Sequence, residues 1–183
     1  MLEPVHIDWT QGVMSGAPVR HSTRRLGELK GVFRDSDGWR AMAAETVVYR
    51  VDYWQPVAEG TEGGLFWGVT TLEPGLVGDE YFMTQGHAHI DCTRAEFYCG
   101  AAGEGLLVLM DTARNTRVEA MRPGTLHYIP AQTAHRVVNT GGIPLRFWAC
   151  WPSDAGHDYA QILREGFSAR VLQRDGRPVL VNE

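Results

Sequence analysis

The segment T-Q-G-H-A-H-I-D-C-T-R-A-E-F-Y, residues 84–98, gathers His87, His89 and Glu96 in one short window, and His135 follows further along the chain. On a strand, two histidines one residue apart point to the same face, because strand side chains alternate with period 2. A carboxylate returning on the next strand and a third imidazole from a separate hairpin complete a set of three nitrogens and one oxygen. Such a set suits Fe, Mn, Ni, Co or Zn as divalent ions and leaves positions open for a substrate. His87, His89, Glu96 and His135 are therefore the predicted metal ligands. Tyr98 stands two residues past Glu96, on the same strand face.

The surroundings of these residues repeat two motifs. Gly86-His87-Ala88-His89 leads to Glu96 and then Gly100. Gly124, Pro130, His135 and Asn139 fall at the spacing G-x5-P-x-G-x2-H-x3-N, with Gln132 where that pattern has glycine. Both blocks resemble the cupin motifs, and longer segments narrow the resemblance. M-T-Q-G-H-A-H, R-A-E-F-Y, P-G-T-L-H-Y-I-P, A-H-R-V-V-N and P-S-D-A-G-H-D-Y are similar to the cupin-type glucose-6-phosphate isomerases, over residues 24–168. The resemblance implies a cupin double-stranded β-helix (jelly roll) with short flanking helices, and one divalent ion per subunit. Fe2+ comes first for that ion, and Mn2+, Ni2+, Co2+ or Zn2+ suit the same donors.

Composition sets bounds around this site. A chain of 183 residues with 44% hydrophobic content suits one domain with one core. We expect a single cupin domain over residues 1–183: an arm and short helices to about 45, a barrel over about 46–152, and a helix and hairpin over about 153–183. The formal net charge of −5 argues against a nucleic-acid partner, although a local site for an anionic substrate remains compatible with it. Cys92, Cys99 and Cys150 are an odd count without C-x-x-C, which favours a reducing compartment. The N-terminus lacks the apolar core of a secretory signal, and no apolar run reaches the length of a membrane span. A cytoplasmic protein follows.

Along the chain, residues 1–19 read as an arm or short strands. Leu26, Leu29 and Phe33 are spaced as on a helix, weakened by Gly27 and Gly31. Residues 38–45 read as a short Ala-rich helix capped by Ser36 or Asp37. Strands are expected over 46–54, 65–73 and 80–89, with turns at 59–64 and 74–79. Residues 95–111 read as a hairpin turning near Gly100, Gly103 and Gly105, followed by a strand pair over 116–121 and 124–130. A further hairpin over 135–151 turns on Thr140-Gly141-Gly142. After Pro152, Tyr159, Ile162 and Leu163 mark a helix stopped at Gly166, its N-cap Asp154 or Asp158, and a last hairpin turns at Asp175-Gly176. Many short strands punctuated by Gly and Pro indicate a sandwich or jelly roll. Strand edges in such proteins must be covered, so a homodimer is expected.

The resemblance also implies roles. Tyr49 and Thr70 match phosphate-binding positions of that family, and Thr84 and Gly86, flanking the first metal ligand, offer a hydroxyl and an unhindered N–H suited to phosphate oxygens, as small donors at a turn do. His157, in D-A-G-H-D-Y, is placed beside the sugar, so Glu96, His157 and Tyr98 form the catalytic set. His127 reads as a core or surface histidine, His6 and His21 as chemically silent, and Cys92 and Cys99 as small buried hydrophobes. Two positions depart from the archaeal members: Gln85 stands for Lys and Trp151 for Tyr, removing a charge and a hydroxyl near the substrate.

The implied reaction interconverts glucose 6-phosphate and fructose 6-phosphate by moving a hydrogen between C1 and C2. Metal on O1 and O2 opposes the developing charge, while Glu96 or His157 shuttles the proton. An Fe-dependent cupin dioxygenase uses the same four ligands and is the competing enzyme. An isomerase of another phosphosugar, such as mannose 6-phosphate, and a non-catalytic sugar-binding cupin are the other readings.

Overall fold

Two of the reversals read above as hairpins, and the link within one segment read as a strand pair, are crossings between sheets. The computed structural model describes residues 3–16 and 18–183. The hairpin β1 (His6–Asp8) and β2 (Val13–Ser15) leads into β3 (Arg20–Arg25), the helix α1 (Ser36–Ala41), and the long strands β4 (Val47–Trp54) and β5 (Leu65–Leu72). The short pair β6 (Leu76–Val77) and β7 (Glu80–Tyr81) precedes the metal block. Then come β8 (Glu96–Ala102), β9 (Gly105–Met110), β10 (Thr116–Met121), β11 (Leu126–Ile129), β12 (Ala134–Asn139) and β13 (Leu145–Pro152). The helix α2 (Tyr159–Glu165) and the hairpin β14 (Ala169–Arg174) and β15 (Arg177–Asn182) close the chain.

One sheet has the order β11-β8-β13-β5-β4-β3 and faces a second, β10-β9-β12. The chain therefore changes sheet between β8 and β9, between β10 and β11, and on both sides of β12. Neither the 95–111 segment, nor the 116–130 pair, nor the 135–151 segment is a hairpin. Turn residues specify a reversal of direction; they do not specify whether the next strand pairs with the last or crosses the core. Gly103 shows the tightness of one crossing: φ is +74°, and a Cβ there would lie 2.6 Å from the Pro144 carbonyl oxygen. The expected mainly β jelly roll is met, with the pairing partners exchanged.

The core lies between the sheets, with Val48, Leu72, Leu107, Leu109, Ile129, Val137, Leu145 and Phe147 all buried. β12 is buried along its whole length, so both its faces are covered. Its neighbour β9 carries the apolar run L-L-V-L-M, as a strand covered on both faces should. The far side of the six-stranded sheet is partly covered by the N-terminal hairpin, where Met14 packs with Val69 and Trp148.

Two early helices differ from expectation. Residues 20–25 are a strand on β4, and Leu26–Leu29 is a single 3-10 turn. Leu26, Leu29 and Phe33 are buried as their spacing suggested, yet Gly27 packs on Ala44 and donates to its carbonyl at 2.9 Å, and Gly31 takes φ +83°. The Ala-rich helix starts earlier and stops at Ala41, with Asp35 as N-cap, its carboxylate accepting from Gly38 N at 2.8 Å. The α2 helix uses Asp158, which accepts from Gln161 N at 3.0 Å, and ends at Gly166 with φ +65°. Cys92 is exposed and Cys99 half-buried, against the expectation that both are buried. Among the described residues no helix is long and apolar enough to cross a membrane.

Gln132, standing where the motif has glycine, adopts φ +59°. Gln132→Gly is expected to stabilise the protein by about 0.5–1 kcal/mol, since left-handed strain exceeds the added unfolded-state entropy of glycine. A urea midpoint that does not rise would refute that strain.

Candidate metal centre and substrate cavity

The metal block is not the continuous strand its sequence suggested. After β7 the backbone pairs only at isolated bridges, Met83 with Val138, His87 with His135, and Ala88 with Asp158. Thr84 N donates to Val137 O at 2.9 Å, and His87 N to His135 O at 3.1 Å. Two residues, Gln85 and Gly86, thus oppose the single residue Arg136, which is a β-bulge. Gly86 takes φ +78°. The bulge has a consequence for the site. Residues three apart on a regular strand point to opposite faces; here Thr84 and His87 both line one cavity.

His87, His89, Glu96 and His135 converge, with one ligand atom from each lying within 4.8 Å of the others. Glu96 Oε1 lies 2.5 Å from His135 Nε2, 3.4 Å from His89 Nε2 and 3.9 Å from His87 Nε2. All four atoms are buried, yet none has hydrogen-bond geometry to a partner. The other ring nitrogens explain why. His89 Nδ1 contacts the Arg94 carbonyl at 2.9 Å and His135 Nδ1 that of Thr133 at 3.1 Å. A carbonyl only accepts, so each Nδ1 carries the proton and each Nε2 presents a lone pair. Buried lone pairs and a carboxylate aimed at one point are costly unless a cation lies among them. The donor set fits a divalent metal.

The electrostatics of His87 and Glu96 agree with that assignment. Burial, then the His135 and His157 charges, push the His87 pKa well below 6.5, so its ring is neutral near pH 7. Burial works against charge on His89, but Glu96 outweighs it and its pKa rises. Burial alone would raise Glu96; His135 and the other imidazoles hold it well below the usual carboxylate range, ionised. Burial, then the Glu96 charge, push the Tyr98 hydroxyl well above 10, and burial lifts Tyr49 to about 12, so both remain O–H donors.

A cavity of about 310 Å³ opens over this cluster. Of the residues singled out in the sequence, Tyr49, Thr70, Thr84, His87, Glu96, Tyr98, His135 and His157 line it. Gly86 and His89 are not among the lining side. Glycine at 86 has its own reason, since a Cβ there would lie 3.0 Å from Arg136 Nε and 3.0 Å from the Phe167 ring. His127 is outside the site, buried between Glu119 Oε2 at 2.8 Å and Thr125 Oγ1 at 2.9 Å.

Trp151, singled out in the sequence as a departure, also lines the cavity, and three further lining residues, Tyr159, Gln55 and Glu59, escaped the sequence reading. Tyr159 read only as a helix residue, yet its ring stacks on His157 with centroids 5.7 Å apart and planes 11° off parallel. Its place two residues after His157 was the available signal. Gln55 reaches the cavity from the end of β4 and Glu59 from the 59–64 turn, which Ser153 pins by donating its hydroxyl to Thr61 O at 2.6 Å. Trp151 forms a wall against Phe66, with ring centroids 5.9 Å apart. Gly68 makes room for it, because a Cβ there would sit 3.2 Å from the Trp151 ring.

The family model described as "Glucose-6-phosphate isomerase (GPI)" matches residues 23–182. A glucose-6-phosphate isomerase of Thermococcus litoralis is 41% identical over 178 residues, 96% of this chain and 92% of that protein. One from Pyrococcus horikoshii is 41% identical over 180 residues, covering 97% and 93%. One from Thermococcus kodakarensis is 42% identical over 177 residues, covering 96% and 92%. Among solved structures, oxalate decarboxylase from Bacillus subtilis aligns with a TM-score of 0.47 and 20% identity, over 60% of this chain and 27% of that one.

Proposed function

Since the chain belongs to the glucose-6-phosphate isomerase family, we infer that it interconverts glucose 6-phosphate and fructose 6-phosphate at the cavity over the His87/His89/Glu96/His135 cluster. The observation that carries the site assignment is the convergence of four buried, unpartnered donor atoms on one point of that cavity. Those four residues hold one divalent ion per subunit, with Fe2+ the first choice among metals that accept three nitrogens and one oxygen. When bound, the ion supplies Lewis acidity toward the sugar's carbonyl and neighbouring hydroxyl oxygens.

The protein groups divide the remaining work. Thr84, Thr70 and Tyr49 present hydroxyls along the cavity and receive the phosphate, and the backbone N–H of Gly86, between Thr84 and His87 at the cavity's edge, joins them. Fixing that remote group holds C1 and C2 over the cluster, which converts binding energy into orientation. Glu96 is ionised, and His157 is held neutral by burial, so either can carry a proton between the two carbons. Tyr98, protonated and buried beside them, donates a hydrogen bond to the sugar end.

Two further readings complete the picture. Leu126, Tyr128 and Phe97 are 68%, 53% and 46% exposed on and beside the edge strand β11, which supports a homodimer, checked by sedimentation velocity. The three free thiols support a cytoplasmic setting, checked by fractionation.

The test is direct. The purified protein, incubated with either hexose phosphate and followed by NMR, is expected to reach the same mixture from both sides, with one divalent ion per chain by mass spectrometry. Inert glucose 6-phosphate alongside interconversion of fructose 6-phosphate and mannose 6-phosphate, or uptake of oxygen with another substrate, would replace this assignment.

A further inference from the structure

Arg136 is buried, and no carboxylate hydrogen-bonds to it among the described residues. Its exposure is 7%, its guanidinium lies 4.3 Å from the centre of the Phe167 ring, and its Nε has no partner. Glu80, the nearby buried carboxylate, accepts instead from Arg170 at 2.8 Å and from the Arg34 backbone. What Arg136 does touch is the bulge: its Nη2 donates to Gln85 O at 2.7 Å, and its Nη1 lies 3.0 Å from Met83 Sδ. Burying a cation in this way is costly unless its hydrogen bonds are worth keeping.

The direction of that bond is informative. Arg136 follows His135 on β12, so its side chain leaves by the face opposite the metal cluster. Gln85 C=O and Gly86 N–H belong to one trans peptide and point opposite ways. With the carbonyl drawn toward the guanidinium, the Gly86 N–H tilts to the face of His135, where Thr84 and His87 line the cavity. Among the described residues Gly86 N–H donates to no backbone carbonyl, which leaves it available to a ligand. The cation behind this peptide also adds positive potential on the side where an anion would sit.

We propose that Arg136 is a positioning residue for the substrate's phosphate: it holds the Gln85–Gly86 bulge so that Thr84 and the Gly86 N–H face the cavity together with His87. The proposal rests on the isomerase reading above and assigns that reading's phosphate end a support on the far face of the sheet. It also gives a reason why this chain can carry Gln85, an uncharged residue, beside a phosphate site.

The test compares Arg136→Met and Arg136→Lys with the wild-type full chain, measuring metal content, kcat, KM and inhibition by inorganic phosphate. Methionine fills a similar volume among Met83 and Phe167, so the fold should tolerate it. Arg136→Met is expected to raise KM and the phosphate inhibition constant about 10-fold or more, the size of one charge-assisted hydrogen bond. Metal should stay at one ion per chain and kcat within about threefold, because the lost interaction serves binding. Arg136→Lys, keeping the charge without the planar fork, should fall between. Unchanged KM and phosphate inhibition in both variants would overturn the proposal, as would metal content and kcat falling in step with the rise in KM. Thr84→Ala separates the two levels of inference. If it raises KM while the Arg136 variants do not, Arg136 alone is wrongly assigned. Calorimetric titration with inorganic phosphate reads the same contrast without turnover.

Discussion

Glu96→Gln is expected to lower kcat by about three orders of magnitude, in the middle of the range for losing a positioned proton carrier. Glu96 is the sole carboxylate in the cluster, 3% exposed, and its charge is held by three imidazoles against the effect of burial. Glutamine keeps the shape and removes both that charge and the capacity to take a proton. Two routes lead to the loss, and metal analysis separates them. If the ion stays near one per chain while kcat falls, Glu96 moves the proton. If metal and rate fall together and excess divalent ion restores the rate, Glu96 acts chiefly as a ligand. Chelation of the wild type should give the same loss, restored by metal. A Glu96→Gln enzyme within about threefold of the wild-type kcat would remove Glu96 from the chemistry altogether.

The pH consequence follows from the same geometry. In the metal-free protein the folded-state pKa of Glu96 is depressed, so its contribution to stability is present above the ordinary 4.5 and is lost as pH falls below it. His87 and His157 have folded-state pKa values below 6.5, so their neutral burial costs stability as pH drops below that value. All three act in one direction, acid destabilising, while His89, whose pKa is raised, opposes them.

What the sequence made legible was local. Two histidines and a glutamate in one window, and a histidine at a fixed spacing from a glycine and a proline, needed no knowledge of the fold. The strands were legible from alternation and turn residues, and the tail hairpin was correct because Asp175 and Gly176 both take positive φ in a two-residue turn. The partners of β8, β10 and β12 were not, because a glycine-rich reversal looks the same whether the chain doubles back or crosses the core. Thr84 shows a subtler limit. Period-2 logic puts it on the face opposite His87, and only the bulge opposite Arg136 brings both into the cavity. Arg136 itself reads as an ordinary outward strand residue, since its burial comes from distant Phe167 and Met83.

His157→Asn is expected to lower kcat about 100-fold with KM within about threefold, the pattern of a group needed in the transition state rather than for binding. His157 is not among the four converging ligands, and its ring lies 4.4 Å from that of His87, centroid to centroid. Its place is enforced from several sides. Arg94 forks onto Asp154 at 3.0 and 2.7 Å, Asp158 N donates to Ala88 O at 2.8 Å, and Tyr159 stacks on the ring. Burial keeps the imidazole neutral below its ordinary 6.5, leaving one nitrogen to accept and one to donate, as a proton relay requires. Wild-type kcat should therefore fall on the acid side only below pH 6.5, as His157 protonates, and that limb should flatten in His157→Asn. Metal content has to be followed across the same pH range, because ligand imidazoles must also be neutral to bind and would impose an acid limb of their own. An acid limb that persists unchanged in the variant, at constant metal, would assign the titration to another group. A raised KM with kcat intact would make His157 a binding residue and leave the proton transfer to Glu96 alone.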